Sequence, residues 1–216
     1  MRNIIILFIT ILFSGPVLLS QTIYNLQFGS TGNRVELTVA NSSTVSAQQV
    51  NVAVDSCPSW IKMKNVEIAV GEIPPGEEKV FPFIFDVDKT APVGEEAVVK
   101  FIITTGINET WSKEIKVKAG APDKYELFQN YPNPFNPFTI ISYQLQYDSR
   151  VTLKVYDILG REVITLLNVE KKAGYYQEKF DAGRLGSGVY IYRLIAQSTE
   201  STPYRFGTVK KMMVIK

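Results

Sequence analysis

Beyond residue 21 the apolar side chains recur at every second position rather than at helical spacing. Val35, Leu37 and Val39 alternate with Arg34, Glu36 and Thr38, and Val50, Val52 and Val54 alternate with Asn51, Ala53 and Asp55. Val66, Ile68 and Val70 follow the same rule, as do Ile115 and Val117 between Glu114, Lys116 and Lys118. Each run predicts a strand with one buried face and one wet face. Lys79–Phe85 and Glu96–Thr104 are apolar on both faces, as central strands are. Turn-forming clusters punctuate these runs: Asn41-Ser42-Ser43, Pro74-Pro75-Gly76-Glu77 and Thr90-Ala91-Pro92-Val93-Gly94. About seven short strands in about 100 residues predict an immunoglobulin-like sandwich over residues 21–118.

Residues 119–124, Ala-Gly-Ala-Pro-Asp-Lys, have no apolar period and form a linker candidate. The alternation then resumes over 125–216. Its strand candidates are Thr139–Leu145, Arg150–Tyr156, Glu162–Leu167, Tyr175–Phe180, Gly188–Ala196 and Arg205–Ile215. Asp157-Ile158-Leu159-Gly160 and Lys171-Lys172-Ala173-Gly174 are predicted hairpin turns, each glycine supplying a positive φ. The predicted fold class is all-β, with two immunoglobulin-like β-sandwich domains in tandem.

The first twenty residues break this pattern. Met1-Arg2-Asn3 gives a positive start, Ile4–Phe13 is apolar except for Thr10, and Gly15-Pro16 precedes Val17-Leu18-Leu19-Ser20. This is the layout of a secretory signal peptide over 1–20, cut between Ser20 and Gln21, and it predicts passage through the general secretory translocon. The apolar run is short for a bilayer span, which needs about 20 residues.

Composition narrows the chemistry. The chain has 216 residues, 23 Lys and Arg against 21 Asp and Glu, one Cys and no His. A formal charge of +2 lacks the basic surplus of a nucleic-acid binder. Without His there is no Ser-His-Asp or Cys-His site, and a single Cys forms neither an internal disulfide nor a cysteine zinc site. Asp86 and Asp88 with Glu95 and Glu96 are the nearest approach to paired carboxylates, and a solvated edge or turn cap accounts for them more simply. Cys57 is expected as a small buried hydrophobe, and Trp60 and Trp111 as core. The expectation is a non-enzyme without metal or cofactor.

Two segments carry more than periodicity. The first is Leu127-Phe128-Gln129-Asn130-Tyr131-Pro132-Asn133-Pro134-Phe135-Asn136-Pro137; the second centres on Val155-Tyr156-Asp157-Ile158-Leu159-Gly160. Gly188-Val189-Tyr190 and a terminal run containing Lys211-Met212 follow. In this order they resemble the type A C-terminal sorting domain of the type IX secretion system of Bacteroidetes-type bacteria, over about 125–216. The resemblance implies a β-sandwich that directs cargo across the outer membrane through that machinery. It also implies removal by the system's C-terminal signal peptidase, for which Gly120-Ala121-Pro122-Asp123 is the expected processing region. The prolines remove backbone donors and are expected to hold their segment extended, with Tyr131 and Phe135 anchoring it and Asn133 and Asn136 turning the chain. The terminal strand is expected as an accessible sheet edge.

Residues 21–118 resemble the NEW3 module of secreted glycosidases, through Leu37-Thr38-Val39-Ala40-Asn41, Pro58-Ser59-Trp60, Ile73-Pro74-Pro75-Gly76-Glu77 and Ala91-Pro92-Val93-Gly94-Glu95. That resemblance implies an accessory domain. The expected function is therefore an exported cargo carrying a small binding or structural module to the cell surface or medium, with a surface glycan or protein as ligand. The alternatives are an accessory part of a secreted hydrolase and a hook-capping-like assembly protein, whose immunoglobulin-like domain shares the Val-Tyr-Asp hairpin.

Overall fold

Alternating apolar residues can be buried only if two sheets face each other, and the chain does this twice. The computed structural model describes residues 4–11, 22–107, 109–200 and 204–216. They divide into two compact units, Met1–Gly120 and Ala121–Lys216. The fold is all-β.

The first unit contains β1 (Ile4–Ile11), β2 (Ile23–Leu26), β3 (Asn33–Asn41), β4 (Ala47–Ser56), β5 (Ile61–Met63), β6 (Glu67–Ile73), β7 (Glu78–Val87), β8 (Glu96–Thr104) and β9 (Thr110–Ala119). One sheet runs β1-β3-β7-β5 and the other β2-β9-β8-β4-β6. Leu37 and Phe83 from the first sheet and Val52, Phe101 and Ile103 from the second are fully buried. The Phe83 and Phe101 rings lie 5.1 Å apart and join the layers. The doubly apolar runs became β7 and β8, each with a strand on both sides.

Ile4–Ile11 lies parallel to β3 along its whole length, from Ile4 opposite Arg34 to Ile11 opposite Asn41. β-branched residues favour this conformation, and β3 would otherwise present an unpaired edge. Ser20 and Gln21, the expected cleavage pair, lie outside the described residues.

Two expectations in this unit need correction. Val66 is not part of the alternating strand; it precedes β6 and is exposed. Ile68 and Val70 do pack against the core, but the pairing of β4 with β6 slips at Val50 opposite Gly71, where Gly71 has φ 80°, and beyond the slip it is Ile73 that is fully buried. Cys57 is exposed rather than buried, while Trp60 beyond it fills the core position. Partial desolvation still pushes the Cys57 thiol up, against a smaller opposing effect of Lys62.

The second unit contains β10 (Glu126–Leu127), β11 (Phe138–Leu145), β12 (Ser149–Tyr156), β13 (Glu162–Lys171), β14 (Gly174–Asp181), β15 (Gly188–Ser198) and β16 (Arg205–Val214). Its sheets are β10-β11-β14 and β13-β12-β15-β16. Ile141, Tyr143 and Leu145 of the smaller sheet and Val151, Leu153, Val155, Tyr192 and Leu194 of the larger are fully buried. The Asp157–Gly160 turn joins two paired strands, with Gly160 at φ 79°. Lys171–Gly174 is not a hairpin turn. It carries the chain between layers, because β14 pairs with β11, Gly174 standing opposite Leu145.

Candidate functional site

The residues singled out in separate stretches of sequence meet at one end of the second unit. β15 and β16 are antiparallel with Gly188 opposite Val214 and Tyr190 opposite Met212. β12 brings Tyr156 opposite Ile191, so the Asp157–Gly160 turn lies at that same end. Residues 129–137 then run past the edge of β16.

That segment is a clamp. Met213 N–H donates to Asn133 Oδ1 at 2.9 Å, Phe135 N–H to Met213 C=O at 3.0 Å, and Ile215 N–H to Phe135 C=O at 3.0 Å. Gln129 Nε2 donates to Lys211 C=O at 2.7 Å. The edge of β16 from Lys211 to Ile215 is therefore covered, contrary to the expectation of a free edge. An uncovered edge would invite pairing with another chain. The segment is bent rather than extended, turning at 132–134 and 136–137 between bridges at Tyr131 and Phe135. Tyr131–Pro132 and Asn133–Pro134 are cis. Asn133 uses its side chain to hold the strand, not to turn its own backbone.

A buried polar network fixes the clamp to the sheet. Asn130 N–H donates to Tyr192 Oη at 2.8 Å, and the Tyr192 hydroxyl donates to Phe128 C=O at 2.9 Å. Asn130 Nδ2 donates to Pro132 C=O at 3.1 Å and Thr139 Oγ1 at 3.0 Å, and the Thr139 hydroxyl donates to Pro132 C=O at 2.8 Å. Prolines have lost their donors but keep their acceptors, and Pro132 uses its carbonyl twice. Sequence reasoning did not pair Thr139 or Tyr192 with Asn130. Thr139 stands two residues beyond the Asn-Pro run, while Tyr192 is 62 residues away along the chain and left no local signal.

Burial sorts the motif residues. Leu127, Asn130, Phe135, Val155 and Met212 are buried and build the sandwich. Phe135, at 2% exposure, packs its ring 6.0 Å from that of Phe180. The Tyr131 side chain is 82% exposed, so only its backbone, paired with Ile140, holds the segment, a correction to its expected role. Asn136 and Lys211 are also exposed. At the turn, Asp157 accepts from Leu159 N–H at 2.9 Å, Arg161 N–H at 3.0 Å and Arg161 Nε at 2.7 Å. The Arg161 side chain, more than the backbone bonds, holds the Asp157 carboxyl below the usual range. The price of that tightly tied turn is an uncovered tip, with Ile158 at 72% and Leu159 at 73% exposure. Tyr131, Ile158, Leu159, Val189, Met213 and Ile215 thus place exposed apolar side chains at one end of the unit.

Over this region the sequence matches the family of secretion system C-terminal sorting domains, at residues 129–206. The second unit carries a sorting domain. The residues of the clamp, the turn and β15 lie within the matched stretch, and β16 extends beyond it. No curated protein matches the chain. Among solved structures, dimeric latent PorU from Porphyromonas gingivalis aligns with 93% of the chain at 14% identity and TM-score 0.35. The chain spans only 19% of the length of PorU. The YadV chaperone aligns with 88% of the chain and 98% of its own length at 10% identity and TM-score 0.31. The calcium binding domain CBD12 of CALX1.1 aligns with 83% and 80% at 11% identity and TM-score 0.32. None of these similarities bears on function.

The sorting domain has an alkaline limit built into its network. Burial pushes the Tyr192 phenol from 10.0 up to about 12, against a smaller lowering by the Asn130 N–H. Tyr143 is raised too, by burial first and by the adjacent Glu178. A raised phenol means that the folded state prefers the proton. The resulting stabilisation is complete below the unfolded value near pH 10 and is lost as pH rises toward 12. Denaturant unfolding followed from pH 8 to 12 should show this decline, and Tyr192→Phe should make it shallower.

The processing region divides in two. Ala119 is not linker but the buried last residue of β9, and Gly120 N–H donates to Leu26 C=O at 2.9 Å. Ala121 and Asp123 are exposed, whereas Pro122 is buried. Asp86 and Asp88 of the first unit each have partners of their own. Asp86 pairs with Lys64 at 2.5 Å and accepts from Gly32 N–H, while Asp88 caps its own turn through Thr90 N–H and hydroxyl, both at 2.8 Å. Among the described residues, no three His, Cys, Asp or Glu side chains cluster as a metal site would require.

Proposed function

We propose that the protein is an exported cargo whose first unit is a non-catalytic, immunoglobulin-like binding module and whose second unit is its address. The sorting domain itself implies export, contact with the type IX secretion machinery and association with the outer membrane or surface. The observation that supports the division of labour is the convergence of the sorting motifs on one end of the second unit, where buried members shape the fold and apolar members remain outside. Those outward side chains are the surface the machinery would read. A signal peptide over 1–20 would bring the chain to the periplasm through the general translocon, and the terminal peptidase would separate the units afterwards.

Geometry narrows the second cut. Lys118 and Ala119 are held in β9, and Gly120 is tied to Leu26, so a protease needing extended backbone meets its first loose bond after Gly120. Intact-mass measurement of the extracellular form should give a chain beginning at Gln21 and ending within 120–124. A product still ending at Lys216 would make the second unit part of the working protein.

A further inference from the structure

The first unit contains a chamber that its sandwich architecture does not require. At the end where β3 leaves and β4 enters, a cavity of about 430 Å³ opens between the two sheets. That volume is within the range of small-molecule sites. Its lining includes Val39, Val50, Ile73 and Ile103, all essentially inaccessible core residues. Trp111 also lines it, and Val45 and Ile107 contribute side chains that are mostly exposed.

The backbone around the chamber is distorted in a way that keeps it open. Pairing of β4 with β6 jumps from Ala47 opposite Ile73 to Val50 opposite Gly71, a bulge that spreads the sheet. Within that bulge Gln49 has φ 51°, the only positive φ of a non-glycine residue among those described. Such conformations persist where the surroundings enforce them, and they cluster at ligand sites. Here the β8–β9 turn does the enforcing. Gly106 N–H donates to Gln48 C=O at 2.9 Å, and any Cβ at Gly106 would stand 2.5 Å from Gln49 Oε1. Thr105, in the same turn, also lines the chamber.

We infer that this chamber binds an uncharged amphiphile: an aliphatic or aryl body inserted between the sheets, with a neutral polar head group left among the polar lining residues Ser43, Ser46 and Gln48. The lining selects for neutrality. Its sole ionisable member among the described residues is Glu109, and neither Lys nor Arg is present to pair with a carboxylate or phosphate head. The inference rests on reading the first unit as a binding module and is independent of export, since it is tested on purified protein.

8-Bromo-1-octanol is a suitable probe, because bromine quenches tryptophan on contact and Trp111 lines the chamber. Trp60, buried in the core, reports separately. Titrating the full chain should give saturable quenching that disappears in Trp111→Phe and survives in Trp60→Phe. 8-Bromooctanoate should bind at least tenfold more weakly. Ala47→Phe, which fills the chamber, should abolish quenching while a thermal melt shows the unit folded. Quenching that does not saturate, equal binding of the carboxylate, or undiminished quenching in a folded Ala47→Phe would overturn the inference. Should Ala47→Phe fail to fold, the comparison of alcohol with carboxylate on the unaltered chain still decides it.

Discussion

Deleting residues 125–216 should abolish passage across the outer membrane and leave the first unit in the periplasm. The expected effect is nearly complete, because the deleted region contains the whole match to the sorting-domain family, residues 129–206. The remaining unit keeps its two sheets and its own buried core, so the loss should not come from misfolding. Cell fractionation in a host with the type IX machinery decides the matter. Undiminished release of the truncated chain into the medium would sink the assignment of the second unit as the address. Circular dichroism of the purified fragment would confirm that it is folded.

Phe135→Ala should destabilise the sorting domain by about 3–5 kcal/mol, the cost of removing a buried phenyl ring. For a domain of this size, whose total stability is on the order of 5–14 kcal/mol, that is a large share. Two roles coincide at this residue: the ring fills the core beside Phe180, and the backbone clamps β16 through Met213 and Ile215. Calorimetry should show the sorting-domain transition lowered by roughly 15–25 °C, with the transition of the first unit unmoved. Tyr131→Ala, four residues earlier, is the contrasting case. Its ring is in solvent, so stability should change by no more than about 0.5 kcal/mol. If export nevertheless falls in Tyr131→Ala, the outward face of the motif is read by the machinery. Comparable melting shifts in the two variants would show that the division between buried and exposed motif residues is wrong.

The candidate site was only partly legible in the sequence. Composition excluded histidine-based chemistry at once, and the Asn-Pro run announced that something other than a strand preceded β11. Yet the run's partners, Met213, Ile215 and Tyr192, lie between 60 and 85 residues away, and a pattern with a period of two carries no record of which strands meet. The same gap explains Tyr131. An aromatic residue in a proline-rich stretch has the composition of an anchor, and only packing determines that its neighbour Phe135 takes the interior.

Local apolar patterning determined the all-β class, the longer strands of both units other than β1, and the turn at Gly160, because side-chain burial and glycine φ are local demands that local sequence can meet. Tertiary structure decided the rest. It placed β14 in the opposite layer from β13, turning Lys171–Gly174 from a hairpin into a crossing. It buried Pro122 and drew Ala119 into β9, leaving only the residues beyond Gly120 as a loose join. It exposed Cys57 and spread β4 from β6 around the chamber that Thr105 lines. Each of these depends on which distant segment supplies the missing hydrogen bonds and the missing apolar contact, and that choice is made by the whole chain at once.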